Sequence, residues 1–243
     1  MPKAKEVCNT MIRQENAMGD CDIHMALALI EYLKGKGVRF SPDGNVIPDR
    51  EWFLDTEPCE ILPFYHRGAC ADPSRTAICF NEPDKSLYIR ISKVFAEIEE
   101  YRRFLGVMPM DLSVSRFMPI EVQRFNLLLN DLFLAVLGVN GIKFAAPMRY
   151  GSLQTVSHFR RYGKASIWSV GCVGTRNNGK ESRRYEEYTR RAFILSVGCP
   201  KRILAYGKMH REEKSDWESL GASVREYVDY NERSRRGGLN HVR

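Results

Sequence analysis

The chain has 243 residues, with 37 Lys and Arg against 30 Asp and Glu, a formal net charge of +7, and 44% hydrophobic and 28% charged side chains. That balance belongs to a globular protein with a sizeable core and excludes collagen-like, mucin-like and wholly disordered chains. The charge is uneven, with nets of −5 over residues 1–100, +8 over 141–200 and +3 over 201–243, so the basic end suits a polyanion, DNA by default, or a solvated basic surface.

The elements follow in chain order. Residues 14–36 read as a helix closed by Gly35 and Gly37. Val38–Pro48 reads as a hairpin around Ser41-Pro-Asp-Gly-Asn45. Residues 49–75, rich in Pro, Cys and aromatics, read as an irregular crossing. From there short apolar strands alternate with helices: strand 76–80, helix 91–105, strand 107–115, helix 119–137, strand 141–148, strand 165–173, helix 181–197 and strand 202–206. A polar helix is expected over 211–230. The alternation predicts an α/β fold, with a mostly parallel central sheet flanked by helices behind an N-terminal helix and hairpin extension. The expected divisions are 1–58 for the extension, 59–210 for the α/β core and 211–243 for a C-terminal helix and basic tail.

The longest apolar run, Leu127–Val139, is broken by Asn130 and Asp131 and is shorter than the roughly 20 residues that a bilayer requires. No apolar segment follows the basic N-terminus as in a signal peptide. Seven thinly spread cysteines, an odd number, read as reduced thiols. These features predict a cytoplasmic protein with no membrane attachment.

In a parallel α/β sheet, ligands bind beyond the carboxyl ends of the strands. Those ends offer Asn81 and Glu82, then Asp111 and Ser113, then Arg149 and Tyr150, then Gly171 and Thr175, and last Tyr206. Asp111 is the candidate general base or cation-stabilising carboxylate, or else a turn cap. Gln123, Asn126 and Asn130 share one helical stripe, either lining a site or facing solvent. Gly174–Lys180 has the spacing of a phosphate-binding loop, but Glu181 stands where the Mg²⁺-binding hydroxyl belongs. The milder reading is a basic loop touching a nucleic-acid backbone through Arg176, Lys180, Arg183 and Arg184. Arg149, Tyr150, Arg160, Arg161 and Lys164 interleave cations with rings, a pattern suited to an unpaired strand or a flipped base. Cysteine and histidine spacings fit no zinc pattern, and neither a metal nor a cofactor is expected.

Asp72–Phe80, Pro109-Met-Asp-Leu-Ser113, Met118-Pro119, Gln123 and Asn126, Gly141–Pro147, Ser169–Gly174 and Pro200–Gly207 together resemble the domain-of-unknown-function family numbered 4417, over residues 60–208. The family occurs in bacteria, phages and mobile elements. It shows Pro-Asp-Phe-Ser where this chain has Met110-Asp-Leu-Ser113, so the resemblance carries the Asp and Ser onto Asp111 and Ser113. The acidic residues it places after the first strand correspond to Asn81 and Glu82, while a tryptophan common after the third strand is replaced in the Arg149–Tyr150 region. The resemblance implies DNA-centred work in replication, defence or counter-defence.

The expected activity is a DNA-acting hydrolase, foremost a glycosylase excising a base or modified base in phage–host conflict, with Asp111 as the key carboxylate. Asn81, Glu82, Ser113 and Asn126 complete the expected catalytic set. The alternatives are a metal-dependent nuclease using Glu82, Asp84 and Asp111, and a non-enzymatic nucleic-acid-binding module.

Overall fold

The computed structural model describes residues 19–173 and 180–235. Helix α1 (Gly19–Gly35) leads into a tight antiparallel turn bridged at Phe40 and Val46, where the sequence predicts a hairpin. Strand β1 (Glu60–Pro63) lies inside the stretch expected to be irregular; four residues are too few to show a period among prolines and rings. Strand β2 (Thr76–Phe80) falls where it is expected. The helix predicted over 91–105 is two helices, α2 (Asp84–Ser92) and α3 (Val94–Arg102), because Lys93 leaves helical geometry at φ −98°, ψ 5°. Strand β3 (Gly106–Met110) and helix α4 (Ile120–Val139) follow. Next come β4 (Ala146–Pro147), a 3₁₀ segment (Leu153–Tyr162), β5 (Ile167–Gly171), α5 (Lys180–Val197) and β6 (Arg202–Tyr206).

The polar helix expected over 211–230 is instead helix α6 (Arg211–Ser219), strand β7 (Ser223–Tyr227) and helix α7 (Tyr230–Arg235). Gly221, at φ +89°, ends the helical path in the left-handed region that favours glycine. β7 is exposed on alternate residues, so its polar Ser-Val-Arg-Glu sequence hides a strand inside a polar stretch.

All strands pair in parallel, in the orders β1-β2-β3 and β4-β5-β6-β7. The two sheets join where Phe144 bridges Val107, with Ala145 N–H donating to Val107 O at 3.1 Å. At the far side Tyr227 Oη donates to the Pro58 carbonyl at 2.8 Å, which brings β7 back beside the start of β1. Ile61, Ala77, Cys79, Met108, Ala145, Ile167, Leu204, Tyr206 and Tyr227 pack as one small inner core. Ile78, Phe80, Val107, Ile203 and Ala205, which alternate with them, join the larger outer core beneath the helices. The seven strands of the described residues therefore curve around a shared interior, in the manner of a parallel βα barrel left unsealed between β7 and β1. Burial on both faces explains why β2 is apolar at nearly every position.

Helix α4 is the centre of the outer core. By length and composition it could cross a bilayer, yet 83% of its apolar window is buried inside the fold, which marks it as a core helix. Its polar residues Gln123, Asn126, Asn130 and Asp131 are buried too. The solvent-facing alternative for the amide stripe is thus overturned, because α1, α3, β3 and the 3₁₀ segment pack on α4 and leave only a narrow face around Arg124 exposed.

Candidate active site at the carboxyl ends of the strands

The local chain geometry of β3 places the candidate carboxylate. Ile78 pairs with Val107 and Phe80 with Met110, so Met108 and Pro109 together stand opposite Cys79. This is a β-bulge, tolerant of a proline because a ladder donor is absent there. The extra residue flips the alternation. Met110 packs in the outer core as Val107 does, and Asp111 turns toward the barrel mouth. Arg149 follows β4 with the same inward parity, and its Nη1 lies 2.7 Å from Asp111 Oδ1 as an ion pair. Gly171, at the end of β5, gives the carboxyl room: a Cβ there would lie 3.1 Å from Asp111 Oδ2.

Asp111, Arg149, Asn81, Asn126, Asn130, Ser169, Gly171 and Tyr206 contribute to the lining of a cleft of about 40 Å³. At roughly 10–15 Å³ per water, it holds about three waters. A quarter of the Asp111 side chain stays open at the mouth. Burial among the strand ends pushes its carboxyl above the usual carboxylate range; Arg149 pulls it down, and Asp84 pushes it up further. Arg149 Nε is itself buried without a hydrogen-bond partner. Replacing Arg149 by Gln removes the pull-down, so the Asp111 titration should move to higher pH, as read by the carboxyl ¹³C shift. A midpoint that stays put or falls would mean that the ion pair does not control this group.

The amides of α4 hold the walls. Tyr88 Oη donates to Asn126 Oδ1 at 2.9 Å, and Asn126 Nδ2 donates to Ser113 O at 2.8 Å. Met110 N–H donates to Asn130 Oδ1 at 2.9 Å. Gln123 bonds both the Met118 carbonyl and the Ser152 N–H, each at 2.8 Å. Asp84 Oδ1 accepts from Ser113 N–H at 3.0 Å. These bonds fix the loops on either side of Asp111, so Asn126 is bound to the scaffold as well as lining the cleft.

The remaining expected residues separate. Ser113 binds through its backbone and stands behind the wall. Glu82 points away, ion-paired with Arg90 at 3.2 Å, and Arg90 also holds Glu97 at 3.1 Å. Tyr150 packs on the rings of Phe159 and Phe193, and its burial raises its pKa. Arg161 is consumed inside the fold by Asp131 at 3.2 Å. Arg160 is exposed and donates to Ser196 Oγ at 2.9 Å. Lys164 is exposed near the opposite, amino ends of β5 and β6. Arg184 is exposed on α5. Thr175 and Arg176 lie outside the described residues, and for Lys180 and Arg183 only the helical backbone is described. Of the expected residues, Asp111, Asn81, Asn126 and Arg149 come together at the cleft.

The structure adds a group that the strand-end reading passes over. In the loop after Asp111, the Arg116 guanidinium lies 4.6 Å from the Phe117 ring and 4.6 Å from the Tyr185 ring. Phe117 is 82% exposed. The signal available in sequence was an Arg-Phe pair in a short polar loop between Ser115 and Pro119. Tyr185 also binds the loop after β4, its Oη accepting from Leu153 N–H at 3.1 Å.

Among the described residues, no group of three or more His, Cys, Asp or Glu side chains gathers as a metal site. Comparison of the chain with protein-family models, curated proteins and solved structures finds no match.

Proposed function

We propose that the protein is a DNA-acting hydrolase of the N-glycosylase type, with Asp111 as its key carboxylate. The observation that carries this reading is the Asp111–Arg149 pair set over a water-sized cleft where the strand ends converge. N-glycosidic cleavage asks for little more. An ionised Asp111 takes a proton from a water as its oxygen bonds to the sugar C1′, and the same negative charge faces the cationic character that develops there. The C1′–N bond breaks with its electron pair going to the departing base. Arg149 is placed to donate to that base, which then takes a proton from Asp111 or solvent. The base itself lies at the cleft mouth, extruded from its stack.

The basic charge of residues 141–243 supports DNA as the substrate. The family resemblance supports a setting in phage–host conflict inside the cell. The competing nuclease set is divided in this fold, since Glu82 is held by Arg90 and Asp84 caps the Ser113 N–H.

The test is incubation with modified and unmodified phage DNA in EDTA. Alkali-labile abasic sites and a released free base are expected. No lesion on any DNA, or strand breaks that appear without alkali and vanish with EDTA, would overturn the proposal. Within this reading, Gly171→Ala should crowd Asp111 by a few tenths of an ångström. A roughly ten-fold loss of turnover is expected from such misplacement, with the melting temperature nearly unchanged. Full activity in that variant would mean that the Asp111 position is not critical.

A further inference from the structure

The Arg116–Phe117 group, in the loop that continues from the cleft-lining residue Val114, has a geometry that internal packing does not explain. The Arg116 guanidinium lies over both the Tyr185 and the Phe117 rings, and no acidic partner is seen for it among the described residues. Phe117 has one face on the guanidinium and is otherwise open, the most exposed of the large aromatic side chains among the described residues. Its loop is nevertheless held: Met118 N–H donates to Ser115 O at 3.0 Å, Phe117 N–H donates to Ser115 Oγ at 3.3 Å, and Gln123 binds Met118 O. A fixed loop that holds a large ring out in water forgoes the stabilisation of burying it. The ring therefore fits a planar, apolar-faced ligand that continues the stack, with a cation one layer below to meet a phosphate.

We infer that Phe117 stacks on an unpaired base next to the one bound at Asp111, while Arg116 holds the adjoining phosphate, so that the substrate is single-stranded or locally opened DNA. This rests on the proposed function for its second base. The stacking itself stands on the ring geometry. Base–aromatic stacking is tolerant of sequence because every base offers a π-face, and Arg contributes through both its charge and its plane. A continuous duplex hides those faces, and the ring would then meet only its edge.

The test uses the full chain carrying Asp111→Asn, so that binding is read without turnover, with a fluorescent single-stranded oligonucleotide and the matching duplex. Phe117→Ala should weaken single-strand binding about ten-fold, the ratio expected from one lost stack, and change duplex binding less than two-fold. Phe117→Trp should retain the affinity. Arg116→Gln should lower the salt slope by about one phosphate contact. Leu195→Ala, which removes another exposed apolar side chain (89% exposed) toward the far end of α5, should change nothing. Unchanged single-strand affinity in Phe117→Ala, or equal losses for single strand and duplex, would overturn the inference. If base excision fails while the Phe117 result holds, the protein is a single-strand-binding module. If excision holds while Phe117 proves silent, the hydrolase selects its substrate elsewhere.

Discussion

Replacing Asp111 by Asn is expected to lower base excision by about 10²–10⁴-fold, the range for removing a positioned general base. Asn matches the carboxylate in shape and keeps one oxygen acceptor toward Arg149, so the cleft walls held by Asn126 and Asn130 stay in place. What disappears, on the proposed mechanism, is the proton acceptor and the negative charge that would face the sugar cation. Ground-state binding of DNA should hold or tighten slightly, because Arg149 loses its counter-ion. Single-turnover rates and equilibrium binding separate the two effects. A variant within three-fold of the parent rate would remove Asp111 from the mechanism.

The pH profile carries the same logic. Burial raises the Asp111 pKa while Arg149 restrains the rise, and the proposed reaction uses the ionised form. Activity should therefore climb as pH rises through that elevated value, and Arg149→Gln should move the climb to higher pH.

Replacing Asp131 by Ala is expected to cost about 3–5 kcal/mol of folding stability, the range for removing one member of a buried ion pair. Asp131 is 1% exposed and accepts from Tyr162 Oη at 2.5 Å and from Arg161 Nη1 at 3.2 Å. His158 Nε2 lies 3.0 Å away, at an angle that makes no hydrogen bond. The substitution would leave the Arg161 guanidinium nearly buried, with only the weaker charge of the exposed Asp43 to compensate it. Asp131→Asn keeps an acceptor for Tyr162 and should cost less. Urea unfolding followed by circular dichroism measures both, and a loss under 1 kcal/mol for the Ala variant would mean that water reaches the cluster. The same contacts make Arg161→Ala a stability defect rather than a DNA-affinity defect, a reversal of what its basic neighbourhood in the chain suggests.

Much of the frame was legible in advance. Thr76–Phe80 and Arg202–Tyr206 show as strands because both faces are buried and the residues are apolar throughout. Helix α4 shows because Pro119 and Gly138 mark its ends. The strands β1 and β7 were hidden for opposite reasons, one too short among prolines and the other too polar at a sheet edge. Arg161, Glu82 and Tyr150 look available in the chain because charge and aromaticity are read locally, whereas their partners Asp131, Arg90 and Phe193 come from other elements.

Residue pattern alone carries the α/β class, the parallel alternation, the basic C-terminal portion and Asp111 as a carboxylate at a strand end. The direction in which that carboxylate points comes from the pairing of distant strands. Strand side chains alternate with a period of two, so a single extra residue reverses every side chain beyond it. Pro109 hints at such a bulge, but the two-against-one pairing exists only once β3 lies beside Cys79 on β2. The same assembly brought Arg149 to Asp111 and Tyr185 to Arg116 across gaps of tens of residues. Those distances are closed by the curvature of the sheet, which no local pattern encodes.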